Sequence, residues 1–91
     1  MTAHHKQQIE SSRVALVENM EPPDVINRLR SDFVLTPNDA EIIMSLGARC
    51  NQVEVLLNTI LRKPDSAFPK LLTALEESRQ RHLANVLRGK K

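Results

Sequence analysis

The single cysteine, Cys50, and His82 make the only conceivable nucleophile and base in this chain, a thiolate made reactive by an imidazole. Acyl chemistry at such a pair also needs oxyanion donors and a cleft for substrate, and the sequence offers no glycine-rich loop to supply the donors. Catalysis therefore ranks far below binding, and no residue is assigned a catalytic role. His82 precedes the apolar Leu83 and reads as a partly buried helix residue, while Cys50 reads as a small hydrophobe. A lone cysteine makes no internal disulfide and has no CxxC partner, which suits a reducing cytoplasmic setting. His4 and His5 are adjacent in a polar segment, without the i, i+4 spacing or neighbouring cysteine of a metal site. Both are expected at the surface, and neither metal nor cofactor is implied.

The remaining chemistry is charge. Among 91 residues, 13 are Lys or Arg and 11 are Asp or Glu, giving a formal charge of +2 and a mixed surface rather than the one-signed field of a polyanion binder. The pI of about 9.0 owes much to Arg88, Lys90 and Lys91 in the tail. A small helical nucleic-acid-binding domain is the alternative reading, since Asp39 to Leu46, Gly47, and Asn51 to Leu61 have the outline of a helix-turn-helix. Against it, the reading helix opens Asn51-Gln52-Val53-Glu54, with few cations for phosphate and a carboxylate that phosphate would repel. The N-terminal MTAHHKQQIESSR has no apolar run of signal-peptide length, and no stretch approaches the ~20 apolar residues of a membrane span. Neither nucleic acid nor membrane is an expected partner.

The elements that position these charges are helices. Hydrophobic residues make up 41% of the chain and aromatics 2%, so the core is built from Leu, Ile and Val, with Phe33 and Phe68 as its only large fillers. Ile9, Leu16, Val17 and Met20 recur at helical spacing in a first helix from Ala3, with a bend or break expected at Glu10-Ser11-Ser12, where short hydroxyls compete for backbone groups. Pro22 and Pro23 stop it. A second helix runs from Pro23 or Asp24 to Ser31, with Val25, Ile26 and Leu29 inward and Phe33 closing the turn. Thr36-Pro37-Asn38-Asp39 is the clearest start signal: a hydroxyl cap, a proline at the first position, and a carboxylate at the positive end of the helix dipole. The third helix turns Ile42, Ile43 and Leu46 inward and is expected to end at a left-handed Gly47. Val53, Leu56, Leu57, Ile60 and Leu61 give the fourth helix a full apolar stripe, which Pro64 ends. Phe68, Leu71, Leu72 and Leu75 form a fifth, with Ser66 as cap and Pro69 at a position whose N–H has no helical acceptor. The sixth spans about Arg79 to Leu87, with Leu83, Val86 and Leu87 inward. Six such helices with short connections make one antiparallel all-α bundle, a single domain over residues 1–91 with its core at 6–87 and a basic tail at 88–91.

Several segments together carry a family resemblance. Arg13 to Glu18, Leu29-Arg30 running into Val34-Leu35-Thr36, Asp39 to Ile43, Gln52-Val53 with Leu56-Leu57, Ala67-Phe68 with Leu72 and Ala74-Leu75, and His82-Leu83-Ala84 with Leu87 match in order and spacing. Over Lys6 to Leu87 the chain resembles a caspase recruitment domain (CARD), and its opening, His4-His5 and then Arg13-Val14-Ala15-Leu16, is most similar to initiator-caspase prodomains. It departs from the family where Arg62-Lys63 are followed by Pro64-Asp65 rather than by a glycine.

The resemblance implies a six-helix Greek-key bundle of the death-fold superfamily without catalytic activity. It further implies recruitment of another CARD-containing protein, whether caspase, adaptor or scaffold, in apoptotic or inflammatory signalling. The family's best-known pairing sets a basic face on the first and fourth helices against an acidic face on the second and third. Carried over, the basic face is Arg13 and Arg49 with Lys6 and Arg62, and the acidic face is Asp24, Asp32, Asp39 and Glu41. Two different faces on one module permit head-to-tail self-assembly. Each charge also has a local explanation: Asp24 with Arg28 at i, i+4, Glu10 with Arg13 at i, i+3, and Asp39 at a helix start.

Overall fold

Each apolar stripe becomes one helix in the computed structural model, which describes residues 1–89. The helices are α1 (Ala3–Asn19), α2 (Pro22–Ser31), α3 (Pro37–Met44), α4 (Arg49–Leu61), α5 (Ala67–Glu77) and α6 (Arg81–Leu87). α1 lies against α4 and α6, α2 against α3, α4 and α5, α3 against α4, and α5 against α6. The radius of gyration, 11.7 Å, is close to the ~12 Å of a single globule of this length, so all six helices share one core. Ile9, Leu16, Leu29, Ile43, Val53, Leu56, Leu57, Ile60, Phe68, Leu75 and Leu83 are buried in it, and Leu72 packs half-buried at its edge.

The start signals act largely as their chemistry dictates. At α3 the Asp39 N–H donates to Thr36 Oγ1 (3.0 Å) and the Thr36 N–H donates to Asp39 Oδ2 (3.2 Å), a reciprocal capping box with Pro37 at the first helical position. Pro22 and Pro23 open α2 rather than only stopping α1, because a proline lacks nothing at positions whose N–H has no acceptor. Ser66 precedes α5 but caps nothing with its hydroxyl. The Ala67 and Phe68 N–H groups donate instead to the Pro64 and Asp65 carbonyls, so the Pro64-Asp65 departure forms a tight lead-in turn.

The helix ends differ from the sequence expectation. α3 stops at Met44 with Ser45 still right-handed, and Gly47 has no positive φ. Among the described residues the left-handed ones are Phe33 (φ 61°), Arg79 (φ 66°) and Gly89 (φ 78°). After α2, the Phe33 N–H donates to the Arg30 carbonyl and the Val34 N–H to the Leu29 carbonyl. After α5, the Arg79 N–H donates to Glu76 and the Gln80 N–H to Leu75. Both ends are Schellman motifs, with Phe and Arg where glycine is usual. α6 consequently starts at Arg81. Phe33 is not a core filler: its ring is 94% exposed, since the left-handed residue of this motif points its side chain out. Ile42 and Val86 also face solvent, because neighbouring Ile43 and Leu87 take the inward positions on their helices.

α1 runs unbroken through Glu10-Ser11-Ser12. The two hydroxyls find partners compatible with a helix: Ser11 Oγ donates to the Gln8 carbonyl, and buried Ser12 donates across to Val86 of α6 (3.4 Å). The other buried polar side chains are also satisfied. Thr59 Oγ1 donates to Val55, and Gln80 accepts from the Glu21 N–H (2.7 Å) while donating to the Glu21 carbonyl (3.1 Å) and Ser78 Oγ. Gln80 thereby ties the α1–α2 junction to the α5–α6 turn. In the expected basic tail, Arg88 caps α6 and pairs with Glu76 of α5, while Lys90 and Lys91 lie outside the described residues.

Candidate protein-binding faces

Of the nominated basic residues, Arg13 on α1 reaches α4 and Arg49 on α4 reaches α1, so these two cations are engaged within the molecule. Arg13 makes a fork with Glu10 (Nη2 to Oε1 2.6 Å, Nε to Oε2 3.3 Å), reaches Asn58 Oδ1 at 3.1 Å, and faces Glu54 at 3.5 Å. Its side chain is 19% exposed. The Glu10 hydrogen bond raises the guanidinium above its usual value, and the same bond holds the Glu10 carboxyl below the usual carboxylate range. Arg49 donates to the Val17, Glu18 and Met20 carbonyls at 2.9–3.1 Å. These are orphan acceptors at the α1 C-terminus, which has no basic residue of its own, so α4 supplies the cation that favours that dipole end. Lys6 is exposed, and Arg62 is exposed with a long contact to Thr59 Oγ1 (3.5 Å).

The α2–α3 side is divided. Asp24 and Glu41 are exposed and have no ion-pair partner among the described residues. Arg28 does not pair with Asp24; it bridges Asp32, four residues on, to Glu77 of α5. Asp39 serves the capping box and accepts from Lys63 Nζ at 2.9 Å. The Lys63 hydrogen bond chiefly, with those to Thr36, holds its carboxyl below the usual range.

Three features escaped the sequence reading. The first is Phe33, described above. The second is His5, which is half-buried rather than exposed: its ring stacks on Phe68 (centroids 4.1 Å apart, planes 6° apart) and its Nδ1 lies 2.6 Å from Asp65 Oδ1. Asp65 also accepts from the Thr2 N–H, the main reason its carboxyl is held low, followed by His5. The Pro64-Asp65 departure was the available signal for this clamp between α1 and the α4–α5 turn. The third is Gln80, whose role depends on a backbone group 59 residues away.

The nucleophile pair does not form. Cys50 is exposed on the first turn of α4 and His82 exposed on α6, with no hydrogen bond between them among the described residues. Cys50 is therefore not a core hydrophobe, nor is His82 a partly buried one. Among the described residues no group of three His, Cys, Asp or Glu could hold a metal ion, and no helix is long and apolar enough to cross a membrane. On α4, the reading helix of the nucleic-acid alternative, Arg49 is held by α1 and Glu54 faces Arg13.

The family model of the caspase recruitment domain matches residues 6–90, and the chain belongs to that family. It is thus an all-α death-fold domain and a homotypic protein-interaction module of apoptotic or inflammatory signalling, a class without catalytic activity of its own. The chain is also similar to caspase-2 of Gallus gallus, with 23% identity over 87 residues. That match covers 96% of this chain and 20% of caspase-2, so the chain spans about a fifth of its relative's length.

Proposed function

We propose that this domain recruits a second CARD, carried by a caspase, adaptor or scaffold, through the seam of α1 and α4 on one partner and the α2–α3 face on the other. The observation that carries this reading is the family match over residues 6–90. The side-by-side packing of α1 on α4 and of α2 on α3 supports two faces of distinct character. Lys6, Arg13, Arg49 and Arg62 form the basic face. Asp24 and Glu41 make the direct acidic contacts, with Asp32 and Asp39 contributing through the field they share with Arg28 and Lys63. Head-to-tail growth follows from two unlike faces on one copy. The similarity to caspase-2 and the lone cysteine support an initiator-caspase-like role in the cytoplasm.

The test is a binding matrix against a panel of purified CARDs and the chain itself, by isothermal titration at low and raised salt. Arg49 is left intact because three carbonyls depend on it. Arg13→Gln with Arg62→Glu abolishes binding through the basic face, and Asp24→Lys with Glu41→Lys abolishes it through the acidic face. Mixing the two double variants restores one productive interface. Undiminished, salt-insensitive binding by both would refute the reading.

A further inference from the structure

Phe33 is the large side chain that the bundle leaves unused. As the left-handed residue closing α2 it holds φ at 61°, where an aromatic residue is an outlier, and its ring is 94% exposed. The backbone strain opposes folding, and a ring left in water gains no burial to offset it. Beside the ring a cleft of ~290 Å³ opens between the α2–α3 loop and the α4–α5 turn, with Val34, Pro64 and Ala67 as apolar lining and Lys63 and Lys70 contributing cations. Lys70 Nζ donates to the Asp32 carbonyl (3.1 Å), a neutral acceptor that leaves its charge uncompensated.

An aromatic ring flanked by an ammonium group is complementary to an apolar side chain flanked by a carboxylate. This chain carries such a surface. Its large exposed apolar side chains among the described residues are Val14, Phe33, Ile42, Met44 and Val86. Of these, Val14 follows Arg13, whereas Ile42 follows Glu41, an exposed carboxylate on α3. We infer that Phe33 docks on the outer face of α3 of a second copy of this chain, with its ring against Ile42 and Lys70 opposite Glu41. The contact stands without the pairing of charged faces proposed above. Glu41 is common to both, so one α3 serves one contact at a time. A centrally placed aromatic anchor with charges at its rim is the usual composition of an interface hot spot.

Sedimentation velocity of the isolated chain over a concentration series tests this. The unaltered chain associates with rising concentration, and Phe33→Ser or Ile42→Ser each raises the dissociation constant at least tenfold. An equimolar mixture of the two variants associates again, because one copy keeps the ring and the other keeps Ile42. Phe33→Gly, whose backbone suits this φ, gives the same loss with a fully folded domain and so separates docking from unfolding. In an Arg13→Gln, Arg62→Glu background, where the charged faces no longer pair, Phe33→Ser still abolishes the association that remains. A chain that stays monomeric to millimolar concentration, a Phe33→Ser variant that associates normally, or a mixture that stays monomeric overturns the inference. If Phe33 variants associate normally while the Arg13/Arg62 variant does not, self-association belongs to the charged faces and only the present inference fails.

Discussion

α2 and α5 end in the same backbone motif, yet the two turns carry opposite burdens. After α5, the left-handed Arg79 leaves a charged side chain in water, and the next residue, Gln80, is buried with hydrogen bonds back to Glu21. After α2, the left-handed Phe33 leaves a ring in water, and the next residue, Val34, is simply buried. One turn is fastened to the α1–α2 junction through a polar side chain. The other presents an apolar group outward and is held by buried Val34, by the Thr36–Asp39 box, and by lysines that reach the Asp32 carbonyl and the Asp39 carboxylate. Identical helix ends can thus be assigned to holding the bundle together or to meeting a partner, depending on which side chains follow the motif.

The comparison presumes a shared core, and truncating it should erase the distinction. Leu56→Ala, at a fully buried position on α4, is expected to cost about 2–5 kcal/mol by lost burial and cavity formation, loosening both turns together. Chemical denaturation measures it, and a change of a few tenths would place Leu56 outside the core. Gln80→Ala should separate the turns. It orphans the Glu21 N–H and carbonyl and is expected to cost about 1–3 kcal/mol, with the amide signals of the α1–α2 junction perturbed and those near Phe33 preserved. Equal perturbation of both regions would argue against a separate fastening.

Glycine at each left-handed position sharpens the contrast further. Phe33→Gly and Arg79→Gly both relieve backbone strain, and each is expected to stabilise the domain by about 0.5–1 kcal/mol in thermal melts. Only the first should weaken self-association. The smallest effect concerns acid. The cap following the α2 turn titrates, whereas Gln80 does not. The folded Asp39 carboxyl lies below its unfolded value, so its contribution is complete above the ordinary carboxylate range near pH 4 and is lost as pH falls through the folded pKa. Asp39→Asn should be less stable than the unaltered chain at pH 7, with the gap narrowing towards pH 3. A gap that widened on acidification would contradict the capping role.

The apolar stripes and the Thr36-Pro37 signal made the helices and most of the core legible in the sequence, because burial follows periodicity and a cap needs only neighbours. The helix ends were harder to read. Glycine marks a left-handed residue by cheapness alone, and here Phe33 and Arg79 occupy that conformation while Gly47 does not. The apolar Val34 after Phe33 satisfies the motif as well as glycine would signal it. Among the nominated charges, types and helices were readable but engagements were not. Arg49 meets carbonyls 29 to 32 residues away, and Lys63 meets Asp39 across 24 residues, distances over which no local rule operates.

The bond between Gln80 and Glu21 also bears on where this domain can be cut. It closes a loop of 59 residues, and α6, which follows it, covers the Ser12 region of α1. A fragment ending before residue 80 would keep five of the six helices yet leave the Glu21 backbone groups and the inner side of α1 facing water. Deletion from the C-terminal side should therefore fail abruptly rather than by degrees, and the last helix, although the shortest, belongs to the smallest unit that folds.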